Sequence, residues 1–279
     1  MKNAVKLFTY LTLAFMLLYS VSAMASGWVG IVLEVLAFAL PVAFGYAASR
    51  RLKSEREELR GVAERESTLV TVSGGDAVGV LALTAPVIAI IFLISYLTSL
   101  LLGALGLVGS TVEDAPLFEM LVMHALMPAI LEEAMFRYLP MKLIAPYSRR
   151  WCAVLSAIYF ALIHGSLFQL PYALAAGFIF IIIDLAADSV LPSVALHLLN
   201  NAVSVLWIKY SSDAGFAAWY VGAMAALALL SLIPVLINRR KYLARLRSAL
   251  DAGENLTERA APTVLVVFLL IMTAINLIN

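Results

Sequence analysis

Apolar stretches on the order of 20 residues, the length one helix needs to cross a ~30 Å hydrocarbon core, recur from one end of this chain to the other. They cannot be hidden in one soluble core. Of the 279 residues 63% are hydrophobic and only 13% charged, where soluble domains run near 45–50% and about 25%. The chain is expected to be all-α, a polytopic transmembrane helical bundle of about eight to nine spans with a polar intramembrane cavity. The spans are placed near 7–25, 28–48, 78–107, 115–141, 151–168, 171–187, 190–208, 216–237 and 262–278.

Lys2 and Lys6 precede the first apolar run, and Ala23-Met24-Ala25 has the small-x-small look of a leader cleavage site. The run is long for a leader, and a second starts almost at once at Trp28, so it is read as a retained span. Between the second and third spans, Arg50 to Glu66 mixes Arg51, Lys53, Arg56 and Arg60 with Glu55, Glu57 and Glu58. This reads as a solvated helix at the membrane surface. With the N-terminus inside and nine spans, all but Arg137 and Lys209 of the 19 Lys and Arg residues fall on the inner side, as basic residues in cytoplasmic loops should. The expected location is a cell membrane, multi-pass, with a cytoplasmic N-terminus and the lipid bilayer as partner. A net charge of +1 leaves no electrostatic footprint for nucleic acid. The single Cys152 rules out an intramolecular disulfide and a cysteine-based metal cluster, and is expected to pack.

Three parts follow: 1–114, N-terminal transmembrane helices with a charged cytoplasmic segment at 49–77; 115–208, the chemical core; and 209–279, C-terminal transmembrane helices. A strongly polar side chain in the hydrocarbon costs about 2.5–3.5 kcal/mol on insertion scales, so each one asks for a reason. Glu34, Glu119, His124, Glu132, Glu133, Arg137, His164, Asp184, His197, Asn200 and Asn201 all fall inside proposed spans. Six of them cluster as Glu132-Glu133-x-x-x-Arg137, Phe160-x-x-x-His164 and His197-x-x-x-Asn201.

Residues four apart share a helix face, so Glu133 and Arg137 are expected to pair, while Glu132, about 100° around, points elsewhere. His197 and Asn201 also share a face, which Asn200 does not. At about 1.5 Å per residue, Glu132 lies roughly 15 Å from Lys142, His164 roughly 21 Å from Arg150, and His197 roughly 14 Å from Asp188. Three helices thus bring polar groups to one level near the midplane. His124 is expected to form an interhelical hydrogen bond, Asp184 to cap or pair near the inner interface, and Glu34 and Glu119 to be structural.

Hydrolysing a peptide bond needs an activated water and donors for the oxyanion of the tetrahedral intermediate. A carboxylate removed from water becomes a stronger base, and Glu132 fits the role of general base. A neutral His164 can hold the same water, and His197 with the Asn201 amide can donate to the developing charge.

At these residues the chain resembles the CAAX prenyl protease and bacteriocin-processing family of intramembrane proteases, also called the ABI family. Its pattern, Glu-Glu-x-x-x-Arg, Phe-x-x-x-His and His-x-x-x-Asn in that order on successive helices, is met by Glu132/Glu133/Arg137, Phe160/His164 and His197/Asn201. Members often carry Gly after the arginine; here Tyr138 stands there. The resemblance covers about 115–208. It implies an endopeptidase in which Glu132, His164, His197 and Asn201 are catalytic, with Glu133, Arg137 and Phe160 supporting them. It implies no cofactor, and a peptide or protein substrate, possibly prenylated or membrane-embedded. Two alternatives remain open. One is a zinc-dependent metalloprotease with His164, His197 and the two glutamates as ligands, although no His-Glu-x-x-His helix is present. The other is a non-enzymatic transporter, immunity or scaffold protein, against which stands the lack of an internal repeat.

Overall fold

The computed structural model describes residues 2–60, 69, 74–107 and 115–251, and every regular element among them is helical. The helices are α1 (Lys2–Ser22), α2 (Gly27–Arg60), α3 (Gly74–Ala104), α4 (117–143), α5 (Arg149–Ile163), α6 (Leu170–Ala187), α7 (Leu191–Tyr210), α8 (Ala214–Ile237) and α9 (Arg239–Asp251). Six of them, α1, α2, α3, α6, α7 and α8, contain stretches long and apolar enough to cross a membrane. The protein is an all-α, multi-pass helical bundle.

Two of the nine expected spans depart from a plain membrane-crossing helix. α4 has the length to span, but α and π turns alternate along it and it carries Glu119, Glu132, Glu133, Arg137 and Lys142. α5 stops after 15 residues, about 22 Å of helix against a ~30 Å core. It ends because His164 caps it and Gly165 turns left-handed at φ 57°, the conformation that glycine adopts without steric cost. Backbone that leaves the helix at membrane depth is tolerated only where protein or a wet cavity surrounds it. The expected span at 262–278 lies outside the described residues.

The charged segment is not a separate surface helix over its described part. α2 continues through it to Arg60, and 34 residues at 1.5 Å each make about 51 Å, well beyond the bilayer core. Ion pairs Arg51–Glu55 at 3.3 Å and Lys53–Glu57 at 3.6 Å line this extension. Arg56 is buried, its guanidinium 4.9 Å from the Tyr147 ring centre and donating to the Tyr147 hydroxyl at 3.3 Å.

One apolar core joins both ends of the described chain to the middle: Phe8 and Phe15 of α1, Phe38 of α2, Phe136 and Leu139 of α4, Tyr159 and Phe160 of α5, and Phe180 of α6. Phe15 sits 4.4 Å from Phe38 and 5.8 Å, edge-on, from Phe136. Cys152 is fully buried in this core and unpaired.

The register of α5 on α6 is set by Gly177, where an added Cβ would stand 2.9 Å from the Cα of Ala157. Small residues let membrane helices approach this closely. Because the obstacle is backbone, Gly177→Ala is expected to lower stability by about 1–3 kcal/mol. Gly222→Ala in α8, where a Cβ meets nothing within 4 Å, should leave it unchanged or slightly raised. Thermal unfolding of both variants in one detergent checks the contrast.

Candidate active site

Local sequence shapes the central helix before any packing does. Pro128 and Pro140 each lie in the first turn after a π turn, at Val122–Leu126 and Ala134–Tyr138 respectively. A proline ring crowds the carbonyl four residues back and offers it no N–H, and a wider turn relieves both problems. For Pro140 that carbonyl belongs to Phe136. It accepts instead from the Ser156 hydroxyl of α5 and, at 3.3 Å, from Nη1 of Arg137. The kink thereby ties α4 to α5 and holds Arg137.

Arg137 and Glu133 are both completely buried, Nε to Oε2 at 3.2 Å. The guanidinium carbon lies 4.2 Å from the Phe160 ring centre and 5.8 Å from that of Phe180, so aromatic faces replace part of its lost hydration. The other carboxylate oxygen of Glu133 is 2.7 Å from Nδ1 of His197. A carboxylate held by arginine accepts, so Nδ1–H of His197 donates, and Nε2 turns to the other side, 3.9 Å from Oε2 of Glu132. Glu132 is 17% exposed at its side chain and makes no hydrogen bond among the described residues. The adjacent glutamates are thus divided: Glu133 is spent on Arg137 and His197, and Glu132 is left open.

His164 is fixed through its own helix. Its Nδ1 is 2.7 Å from the Phe160 carbonyl, which can only accept, so Nδ1 carries the hydrogen and Nε2 of the neutral ring presents a lone pair. The Phe160 ring lies 5.0 Å from His164 and 5.6 Å, edge-on, from His197, so one ring packs against both imidazoles. Glu132 lies within electrostatic reach of His164. On α7 the Asn200 amide donates to Oδ1 of Asn201 at 3.3 Å, which leaves the Nδ2 hydrogens of Asn201 without a partner among the described residues.

Glu132 and His197 from two helices therefore meet, His164 from a third packs on the Phe160 ring that His197 also touches, and Asn201 follows one turn after His197. The other polar residues separate from them. Asp184 is fully buried and accepts from the Ser193 backbone N–H at 3.0 Å, satisfying one of the free donors that open α7. His124 and Glu119 are exposed. The interhelical hydrogen bond expected of His124 is not formed among the described residues, because its side chain points off the bundle. Glu34, expected to be structural, lies within electrostatic reach of Glu132 together with Tyr19 and Tyr172. Among the described residues no three His, Cys, Asp or Glu side chains converge to hold a metal ion.

Sequence spacing overlooked Phe180 and Tyr172. A signal was there: Tyr172, Ala176 and Phe180 repeat every four residues and make one stripe along α6. Phe180 brings that stripe against His197 at 5.9 Å. Asn200, set aside for its spacing, orients Asn201 instead of competing with it.

Residues 114–203 match the family model described as Type II CAAX prenyl endopeptidase Rce1-like. Every motif residue above falls within that match. No curated protein and no solved structure matches the chain.

Proposed function

We propose, on the premise of that family match over residues 114–203, that this membrane protein is an intramembrane endopeptidase that hydrolyses its substrate with a glutamate-activated water. The observation that carries the reading is the division between the two glutamates. A general base must be free to take a proton, and Glu132 alone of the pair is uncommitted, with His197 Nε2 3.9 Å from it and His164 packed on the same Phe160 ring as His197.

Water is held between the Glu132 carboxylate and the lone pair of His164 Nε2. As its oxygen attacks the scissile carbonyl carbon, one proton passes to Glu132. The oxyanion is received by Nδ2–H of Asn201 and Nε2–H of His197. The second donation requires hydrogens on both His197 nitrogens, since Nδ1–H is committed to Glu133, so it asks for the imidazolium form flanked by the two carboxylates. When the C–N bond breaks, Glu132 returns the proton to the leaving nitrogen. The carboxylic acid and amine products leave the site with Glu132 ionised again.

The proposed reaction needs no metal, and zinc is the alternative to test. Purified protein is expected to cleave at least one of three reporters: a farnesylated peptide ending in a CAAX sequence, a leader peptide, or a transmembrane segment. Activity should survive a membrane-permeant chelator, and Asn201→Ala should lower kcat by roughly 10²–10³, the loss typical of one oxyanion donor. A zinc held one per chain, whose removal stops cleavage and whose return restores it, would refute the metal-free route. We further propose that the protein resides in the cell membrane with its N-terminus in the cytoplasm, from the distribution of basic residues.

A further inference from the structure

Tyr172 lies in the first turn of α6 just past the loop that follows His164, and α5 and α6 run antiparallel with a close approach at Ala157 and Gly177. From that crossing His164 lies seven residues up α5, about 10 Å, and Tyr172 five residues back along α6, about 7–8 Å. The two side chains are therefore level to within one turn. Their rings meet at 6.4 Å and 76°, edge to face. The Tyr172 ring packs on the apolar core, and its hydroxyl makes no hydrogen bond among the described residues. It stands within electrostatic reach of Glu132. A partly buried phenol normally finds a partner for its O–H. Here the ring that carries it packs against His164, one of the two groups proposed to hold the hydrolytic water.

We infer that Tyr172 is a further catalytic residue, whose hydroxyl donates a hydrogen bond to the oxygen that the attacking water delivers to the scissile carbon. The inference rests on the assignment of Glu132 and His164 given above. The tetrahedral carbon carries two oxygens. The former carbonyl oxygen faces Asn201 and His197 on α7, and the former water oxygen faces Glu132, His164 and Tyr172. No proton leaves Tyr172. Its O–H bond only turns toward an oxygen that gains hydroxide character as its proton passes to Glu132, so the contact strengthens in the transition state and lowers the barrier.

Tyr172→Phe keeps the ring and its packing on His164 and removes only the donor. With the full-length purified protein and whichever of the three reporters it cleaves, kcat is expected to fall roughly 10²-fold, with KM within threefold of wild type and the melting temperature unchanged. A kcat within threefold of wild type, a loss confined to KM, or a loss that tracks a lowered melting temperature would overturn the inference. Glu132→Gln is assayed beside it. An inactive Glu132→Gln with a fully active Tyr172→Phe overturns the role of Tyr172 alone, whereas an active Glu132→Gln, or a wild-type chain that cuts no reporter, overturns the hydrolytic reading and this inference with it.

Discussion

Glu132→Gln is expected to reduce cleavage by roughly 10⁴-fold or more, the upper end of what proton transfer by one positioned group contributes, while the protein stays folded. The amide keeps the volume of the carboxyl group, and among the described residues Glu132 makes no hydrogen bond for the change to break. Its 3.9 Å contact with His197 Nε2 is the ion pair that the change weakens. The neighbouring Glu133→Gln makes the opposite comparison. It leaves the base in place but removes the charge that Arg137 and His197 both face, so it should lose stability first and activity second. Initial rates and thermal unfolding of the two variants separate these outcomes. A Glu132→Gln protein that turns over within tenfold of wild type removes Glu132 from the base role.

Arg137→Ala is expected to cost about 3–5 kcal/mol of stability, since removing one partner of a buried pair leaves the other's charge uncompensated. The loss includes packing, because the guanidinium fills the space between the Phe160 and Phe180 rings. The double variant Glu133→Gln with Arg137→Met should be the milder change. It removes both charges together, keeps apolar volume between the rings, and leaves an amide oxygen to accept from His197 Nδ1. Melting temperatures measured in one detergent decide the matter. A double variant no more stable than Arg137→Ala would mean that the two residues act independently.

The sequence determined the solvent of this protein and the chemistry it can offer. Apolar runs of spanning length allow only a membrane bundle, and the spacings Glu133 to Arg137 and His197 to Asn201 place each pair on one face whatever surrounds the helix. Those are local properties, fixed by the rise and turn of a single helix. Such rules also have a local limit. Spacing could not show that α5 would stop at His164, because the stop depends on the left-handed Gly165 and on a side-chain bond to the Phe160 carbonyl.

Only the tertiary structure decided where the histidines attach. Spacing pairs Glu133 with Arg137 and turns Glu132 to another face, but it does not say which of the two His197 reaches. Packing α7 against α4 places His197 Nδ1 on Glu133, already held by Arg137, and leaves Glu132 without a hydrogen bond among the described residues. Nor could spacing connect Tyr172 with His164. Their meeting depends on how far α5 slides along α6, and the contact of Gly177 with Ala157 sets that distance. A helix carries its faces in its own sequence, but the face opposite belongs to another helix, and the depth at which two faces meet is set by the packing between them.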